Sequence, residues 1–364
     1  MSVSVASMAK TRPTRGATLN AESRRFNLPQ READGDWLDM RDELDGVPPP
    51  LRTTVTVERS RTIVSRNESP DVPFDRSINP YRGCEHGCIY CFARPSHAFH
   101  DLSSGLDFES RLFAKPNAAK LLRAELAKPG YAVAPIAMGT NTDPYQPIER
   151  EWRITRSVVE VLAECRHPLT ITTKSDRVVR DLDLLGPMAR DGLAAVAVSV
   201  TSLDPRIAAT VEPRAPHPER RLKAVEALAT AGVPVYVSIS PVIPAITDGE
   251  MEALVARAVD AGASAVGYIP VRLPHEVAPL FRAWLDEHFP ERAGKVMAAI
   301  RSMRGGRDND PDFFSRMRGS GPWAELFRTR FRMAARRHRL DGARISLRTD
   351  LFRPPPGRQG DLFG

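Results

Sequence analysis

Three of the chain's four cysteines lie within eight residues, Cys84-Glu-His-Gly-Cys88-Ile-Tyr-Cys91. A C-x3-C-x2-C loop with an aromatic residue just before its last thiol can hold a metal on three sulfurs, and no fourth cysteine stands near it. Thiolates are the usual ligands of iron–sulfur clusters, and a tight loop can carry three of them to three corners of a [4Fe-4S] cube. A structural metal site is normally closed by four ligands, whereas a catalytic one keeps a position free. The three-thiol set therefore predicts a cluster whose fourth iron stays open to a ligand. Zinc is the competing occupant, with Cys165, His86, His97 or His100 as its fourth ligand. In that case the protein is a non-catalytic, zinc-binding scaffold.

Such a loop needs a frame. From Arg76 onward, short β-rich runs alternate with amphipathic ones. Strands are expected at 77–81, 135–139, 169–173, 195–201, 233–240 and 265–269, with a leading strand within 55–64. Helices are expected at 116–127, 148–165, 177–190, 218–231, 248–261 and 275–287. Pro116 and Pro218 at helix starts, and Gly192, Gly232 and Gly262 at helix ends, follow the usual asymmetry. Runs such as Ala-Val-Ala-Val-Ser-Val are too apolar to have a wet face, which suits parallel strands covered by helices. The expected fold class is α/β, a partial (β/α)6 TIM-type barrel over 51–293. Residues 1–50 are polar, end in Pro48-Pro-Pro50 and read as a disordered basic arm. Residues 294–364 read as a C-terminal extension with a basic helix from Pro322 to His338, a short strand near Ile345 and a proline-rich tail.

The cysteine spacing, together with Tyr90, resembles the signature of the radical SAM superfamily. That resemblance implies two cofactors, a [4Fe-4S] cluster and S-adenosylmethionine (SAM), and a reducing electron donor. It also implies that the open iron chelates SAM and that one electron cleaves it to a 5'-deoxyadenosyl radical, which takes hydrogen from a substrate. Function in such barrels concentrates where strands end. There the sequence offers Gly139-Thr140-Asn141-Thr142-Asp143, then Thr172-Thr173-Lys174-Ser175, then Ser199-Val-Thr201 and finally Glu212 through Arg221. These landmarks, from about Asn79 to Pro270, resemble the spore photoproduct lyase-like branch of the superfamily.

By match to the family pattern, Cys84, Cys88 and Cys91 are cluster ligands and Thr142, Lys174 and Ser199 are SAM contacts. Tyr90, Thr140, Asn141, Asp143, Thr201, Glu212 and Arg221 complete the candidate set. Two plainer readings stand beside it: Asp143 as the acceptor of an Asx-turn, and Glu212, Arg214 and Arg221 as a structural ion-pair network. One departure matters. The photoproduct lyases carry a hydrogen-donating cysteine in the loop corresponding to Thr140-Asn-Thr-Asp143, and here there is none. Tyr145 is the nearby substitute.

Bulk composition bounds the partners. The net charge is +7 and the sequence pI near 9.5, which permits a polyanion without requiring one. Arg328, Arg330, Arg332, Arg336 and Arg337 gather on the basic helix as a candidate nucleic-acid surface. Gln359, Leu362 and Phe363 in the tail look like the short peptide by which bacterial repair and replication enzymes bind the sliding clamp. No apolar run is long enough to cross a bilayer and no secretory signal opens the chain, so a cytoplasmic protein without a membrane partner is expected. The leading functional reading is a radical SAM enzyme of nucleic-acid repair or modification. The alternative has a protein or small metabolite as substrate.

Overall fold

A computed structural model of the chain describes residues 15–20 and 51–356. In chain order the strands are β1 (Thr54–Val57), β2 (Val64–Arg66), β3 (Arg76–Ile78), β4 (Tyr81–Arg82), β5 (Arg111–Ala114), β6 (Ile136–Met138), β7 (Leu169–Thr173), β8 (Ala194–Ser199), β9 (Val235–Val242) and β10 (Ala265–Pro270). The main sheet has the order β10-β9-β8-β7-β6-β3-β2. Its strands are parallel except β2, which runs antiparallel along β3 at one edge. A second sheet, β1-β5-β4, stands beside it. Covering helices are α1 (Ala118–Leu126), α2 (Ile154–Glu164), α3 (Leu182–Arg190), α4 (Pro205–Val211), α5 (Pro218–Thr230) and α6 (Met251–Asp260). Then come α7 (Val277–His288), α8 (Pro290–Ser302) and α9 (Gly321–Arg337). Six parallel strands, all but β3 followed directly by helix, make the partial barrel that the sequence pattern predicts.

Side-chain alternation decides what the barrel holds. Ile78, Met138, Leu169, Ile171, Val196, Val198, Val235 and Val237 face the helices and form the main core. Their neighbours in register face the lumen: Ala137 beside Thr170, Thr172 beside Ala197, Ser199 beside Ser238, and Ser238 beside Gly267. TIM barrels usually fill this space with layers of bulky branched side chains. Here the lining is small or hydroxylated, and Thr172 in mid-barrel remains exposed. Tyr236 is the large exception. A Cβ on Gly267 would stand 1.7 Å from its hydroxyl oxygen, so the glycine makes room for the ring. The lumen is open rather than packed.

The break expected near residue 294 falls inside α8, which continues the packing of α7: Val296, Met297 and Ile300 share a core cluster with Phe281 and Trp284. Farther on, Met303, Ala324 and Phe327 join the main core. Arg304 reaches back to the carbonyls of Pro270 and Val271, at 3.2 and 2.9 Å. The last part of the chain is therefore built into the barrel. No strand forms around Ile345, where residues 343–349 have no regular structure. Finally, Asp71 in the β2–β3 loop takes two hydrogen bonds from Arg316, at 2.7 and 2.5 Å. Arg316 lies in a helical turn, Ser315–Arg318, that packs on β10. One ion pair thus links the two edges of the sheet.

Candidate active site

The cysteine loop follows β4 in the small sheet rather than the first parallel strand. It leaves β4 at Gly83, where φ is +71° and a Cβ would meet the Phe108 carbonyl at 2.8 Å. Successive turns then set the thiols. Gly87 N–H donates to the Cys84 carbonyl at 3.4 Å, and Cys91 N–H to the Cys88 carbonyl at 3.2 Å. Cys84 and Cys88 are buried, and Cys91 is half-buried.

Groups distant in sequence hold this loop. Arg94 is fully buried and donates to the carbonyls of Cys88 (2.9 Å), Gly87 (3.1 Å), Ser104 (3.1 Å) and Gly105 (3.0 Å). Its counter-ion is the fully buried Glu109, at 2.5 Å. Gln146 acts as a piece of backbone: its amide donates to the Gly83 carbonyl at 3.1 Å and accepts from Glu85 N–H at 3.0 Å.

The segment 15–20 lies within the expected disordered arm, yet it packs across this loop. Gly16 and Ala17 N–H donate to the Glu109 carboxylate at 2.9 and 2.8 Å, and Arg15 donates to the Glu109 carbonyl at 2.6 Å. A Cβ on Gly16 would stand 1.6 Å from the Gly87 carbonyl oxygen. That buried carboxylate explains the departure, because it draws in backbone donors that polar composition alone does not reveal.

Burial pushes the Cys84 thiol well above its usual range, with Asp143, Cys88 and Cys91 adding to the rise. It pushes Cys88 up to about 12, against the pull of Lys174. Thiolates at these positions need positive charge, which iron provides. Among the described residues no three Cys, His, Asp or Glu side chains converge on a single-ion site. Of the four candidate fourth zinc ligands, His86 Nδ1 lies 3.3 Å from Asp143, His97 bonds the Arg111 carbonyl at 2.8 Å and Cys165 is buried at the end of α2. His100 packs its ring on Phe113, 4.6 Å between centroids, and leaves Nε2 without a hydrogen-bond partner among the described residues. Three free thiols on one loop fit a cluster with an open iron better than zinc.

A scan against family models places residues 78–258 in the radical SAM superfamily. The chain belongs to that superfamily. Its cofactors are a [4Fe-4S] cluster and S-adenosylmethionine. An uncharacterised protein of Mycobacterium tuberculosis is 38% identical over 232 residues, covering 63% of this chain and 68% of the relative. One of Methanocaldococcus jannaschii is 31% identical over 173 residues, covering 48% and 62%. Among solved structures, spore photoproduct lyase complexed with dinucleoside spore photoproduct gives a TM-score of 0.45 at 16% identity, covering 65% of this chain and 67% of that one. Streptococcus suis SuiB bound to S-adenosylmethionine gives 0.40 at 14%, covering 60% and 47%.

The remaining candidates of this radical SAM chain divide into free and committed groups. Lys174 is free. Its Nζ stands 5.8 Å from the centroid of the Tyr90 ring and has no hydrogen-bond acceptor among the described residues. Burial pulls its pKa down, but the charges of Cys88, Glu212 and Asp143 outweigh that and leave it raised. Ser199 faces the same lumen. Asn141 also keeps its side-chain amide unbonded among the described residues, while its N–H donates to Asn79 Oδ1 at 3.0 Å.

Other candidates already have partners within the chain. Thr142 donates to the Tyr81 carbonyl at 3.0 Å, and Thr140 accepts from Asn79 at 3.2 Å. Asp143 accepts from Tyr145 N–H (2.9 Å), the Thr173 hydroxyl (2.7 Å) and Lys174 N–H (2.7 Å), so the Asx-turn reading describes it. Glu212 and Arg221 form a buried ion pair at 2.5 Å, with the Tyr90 and Thr201 hydroxyls on Glu212. This is a network beneath the cysteine loop, positioning Tyr90. Tyr145 is fully buried and donates to Asp181 at 3.0 Å, so it is not available as a hydrogen donor. Sequence reasoning missed Arg94, Glu109, Gln146 and Asn79; no spacing pattern marks them.

On the basic helix, Arg330 is bound to both oxygens of Glu252, at 2.7 and 2.6 Å, which pins α9 to α6. Arg328 pairs with Glu325 and Arg336 with Asp341. Arg332 and Arg337 remain exposed without an ion-pair partner among the described residues. The clamp-like residues Gln359, Leu362 and Phe363 lie outside the described residues. Among the described residues no helix is long and apolar enough to cross a membrane.

Proposed function

We propose that this radical SAM protein is a cytoplasmic enzyme that removes a hydrogen atom from a nucleic-acid substrate, in repair or modification. The observation that carries the reading is the lumen beside three free thiols, where the small side chains of Thr170, Thr172, Ala197 and Ser238 stay at least partly exposed. When bound on Cys84, Cys88 and Cys91, the cluster supplies the electron that cleaves the sulfonium of SAM. Lys174 offers an unpaired ammonium to a carboxylate at the mouth. Glu212, Arg221 and Thr201 fix the Tyr90 ring. Nucleic acid is favoured by the net charge of +7, by the unpaired Arg332 and Arg337, and by Phe92. That ring, next to the last cysteine, is 54% exposed and offers a face on which a base can stack. Binding of a sliding clamp by Gln359, Leu362 and Phe363 belongs to the same proposal.

The test is anaerobic purification, reduction and addition of SAM, with 5'-deoxyadenosine measured with and without intact or ultraviolet-damaged DNA. Formation that is lost in Cys88→Ala and stimulated by one of these DNAs is expected. Cluster-dependent formation that no nucleic acid stimulates points instead to a protein or small-metabolite substrate.

A further inference from the structure

Beside the barrel mouth, between the β2–β3 hairpin and the small sheet, lies a cavity of about 340 Å3. Ser65, Ser77, Arg82, Lys115 and Asn141 are among its lining residues, and none of the lining residues is acidic. Lys115 is 8% exposed. Its ammonium donates to the Asn79 carbonyl at 3.0 Å and has no carboxylate within ion-pair distance among the described residues. Glu58, whose charge reaches Lys115, is already taken by Arg82, with contacts of 2.6 and 3.1 Å. Burial, helped by Arg82, pulls Lys115 down to about 8. A buried ammonium with spare donors and no carboxylate partner is costly, and an anion from outside relieves that cost. The Asn141 amide and the Ser65 and Ser77 hydroxyls have no hydrogen-bond partner among the described residues. Donors of several kinds around one cation suit the spread oxygens of a phosphate better than a flat carboxylate.

We propose that this cavity binds a backbone phosphate of the substrate nucleic acid, with Lys115 as its cation and Ser65, Ser77, Asn141 and the N–H groups of Arg82 not taken by Glu58 as further donors. The phosphate site rests on the nucleic-acid reading above and says where that substrate is gripped, beside the loop that carries Asn141.

Calorimetric titration of the cluster-containing protein with a trinucleotide, a mononucleotide and inorganic phosphate tests it, without SAM. Saturable binding is expected, tightest for the trinucleotide and about tenfold weaker in Lys115→Met, the loss of one charge-assisted hydrogen bond. Lys115→Met should melt no lower than the parent, since it removes a buried charge; a lysine kept only for structure predicts the reverse. Ser65→Asp, on an exposed edge strand, places a negative charge at the cavity and should weaken binding without touching Lys115. Wild-type affinity in both variants, or no saturable binding by the parent, overturns the site. Binding of only mononucleotide or inorganic phosphate overturns the backbone assignment. None of these readouts involves SAM cleavage, so the phosphate site and the radical reaction can fail separately.

Discussion

At the scale of single residues, the loop's chemistry rests on groups that never touch a substrate. Arg94 satisfies four carbonyls and Glu109 from a site with no solvent. Removing one partner of such a pair leaves the other charge buried and alone, at about 3–5 kcal/mol. Arg94→Met is therefore expected to lower stability by that amount in urea unfolding and to lose iron on anaerobic purification. Replacing Glu109 by Leu in the same chain should restore part of the stability. Asp143 gives a pH signature. Burial opposes its ionisation, but His86, Lys174 N–H and Thr173 outweigh it and hold the carboxyl down at about 2, against 3.8. Between those values the folded chain keeps the charge while the unfolded chain takes up a proton. The stabilisation, about 2 kcal/mol, is complete above pH ~4 and lost as pH falls through ~2. Unfolding midpoints of the apoprotein across this range should fall less steeply in Asp143→Asn.

At the scale of elements, the segment 15–20 deserves deletion. It supplies two N–H donors to a buried carboxylate, and Asn20 Oδ1 accepts from Leu106 N–H at 2.8 Å at the start of the next helical turn. A chain lacking residues 1–20 is expected to be about 2–4 kcal/mol less stable, the cost of unsatisfied buried groups. It should also retain less iron, and iron analysis beside urea unfolding checks both. Elements are where the sequence was most legible. β7 lies at 169–173 as its β-branched run predicts, and α5 starts at Pro218 where proline marks the first turn. The pattern fails where length and period are both short. Pro205–Val211 has seven residues, too few to show a face, although Asp204 caps it from the side chain. The three thiols were legible because ligand spacing is local. Their support was not, because Gly16, Glu109 and Gln146 meet the loop across sequence separations that carry no period.

At the scale of the molecule, the question is how a barrel of six parallel strands stays closed around an open lumen. Small side chains facing inward give little packing across the lumen, so the two sheet edges need their own tie. Asp71 and Arg316 provide it. The Asp71 side chain is 2% exposed and that of Arg316 18%. Hydrogen bonding from Arg316 holds the Asp71 carboxyl below its usual range even though burial opposes this. Phe314 N–H adds a third donor at 3.0 Å. Asp71→Asn leaves the guanidinium largely buried without a counter-charge and should cost about 3 kcal/mol. Arg316→Gln should cost a similar amount, and the double variant less than the sum, since the two share one interaction. Hydrogen exchange separates a clasp from an ordinary surface pair. If the pair closes the barrel, protection in Asp71→Asn drops in both β2–β3 and β10, strands at opposite ends of the sheet order. A loss confined to the 67–75 loop would mean that Asp71 only orders its own turn, and that the integrated C-terminal helices alone keep the barrel shut.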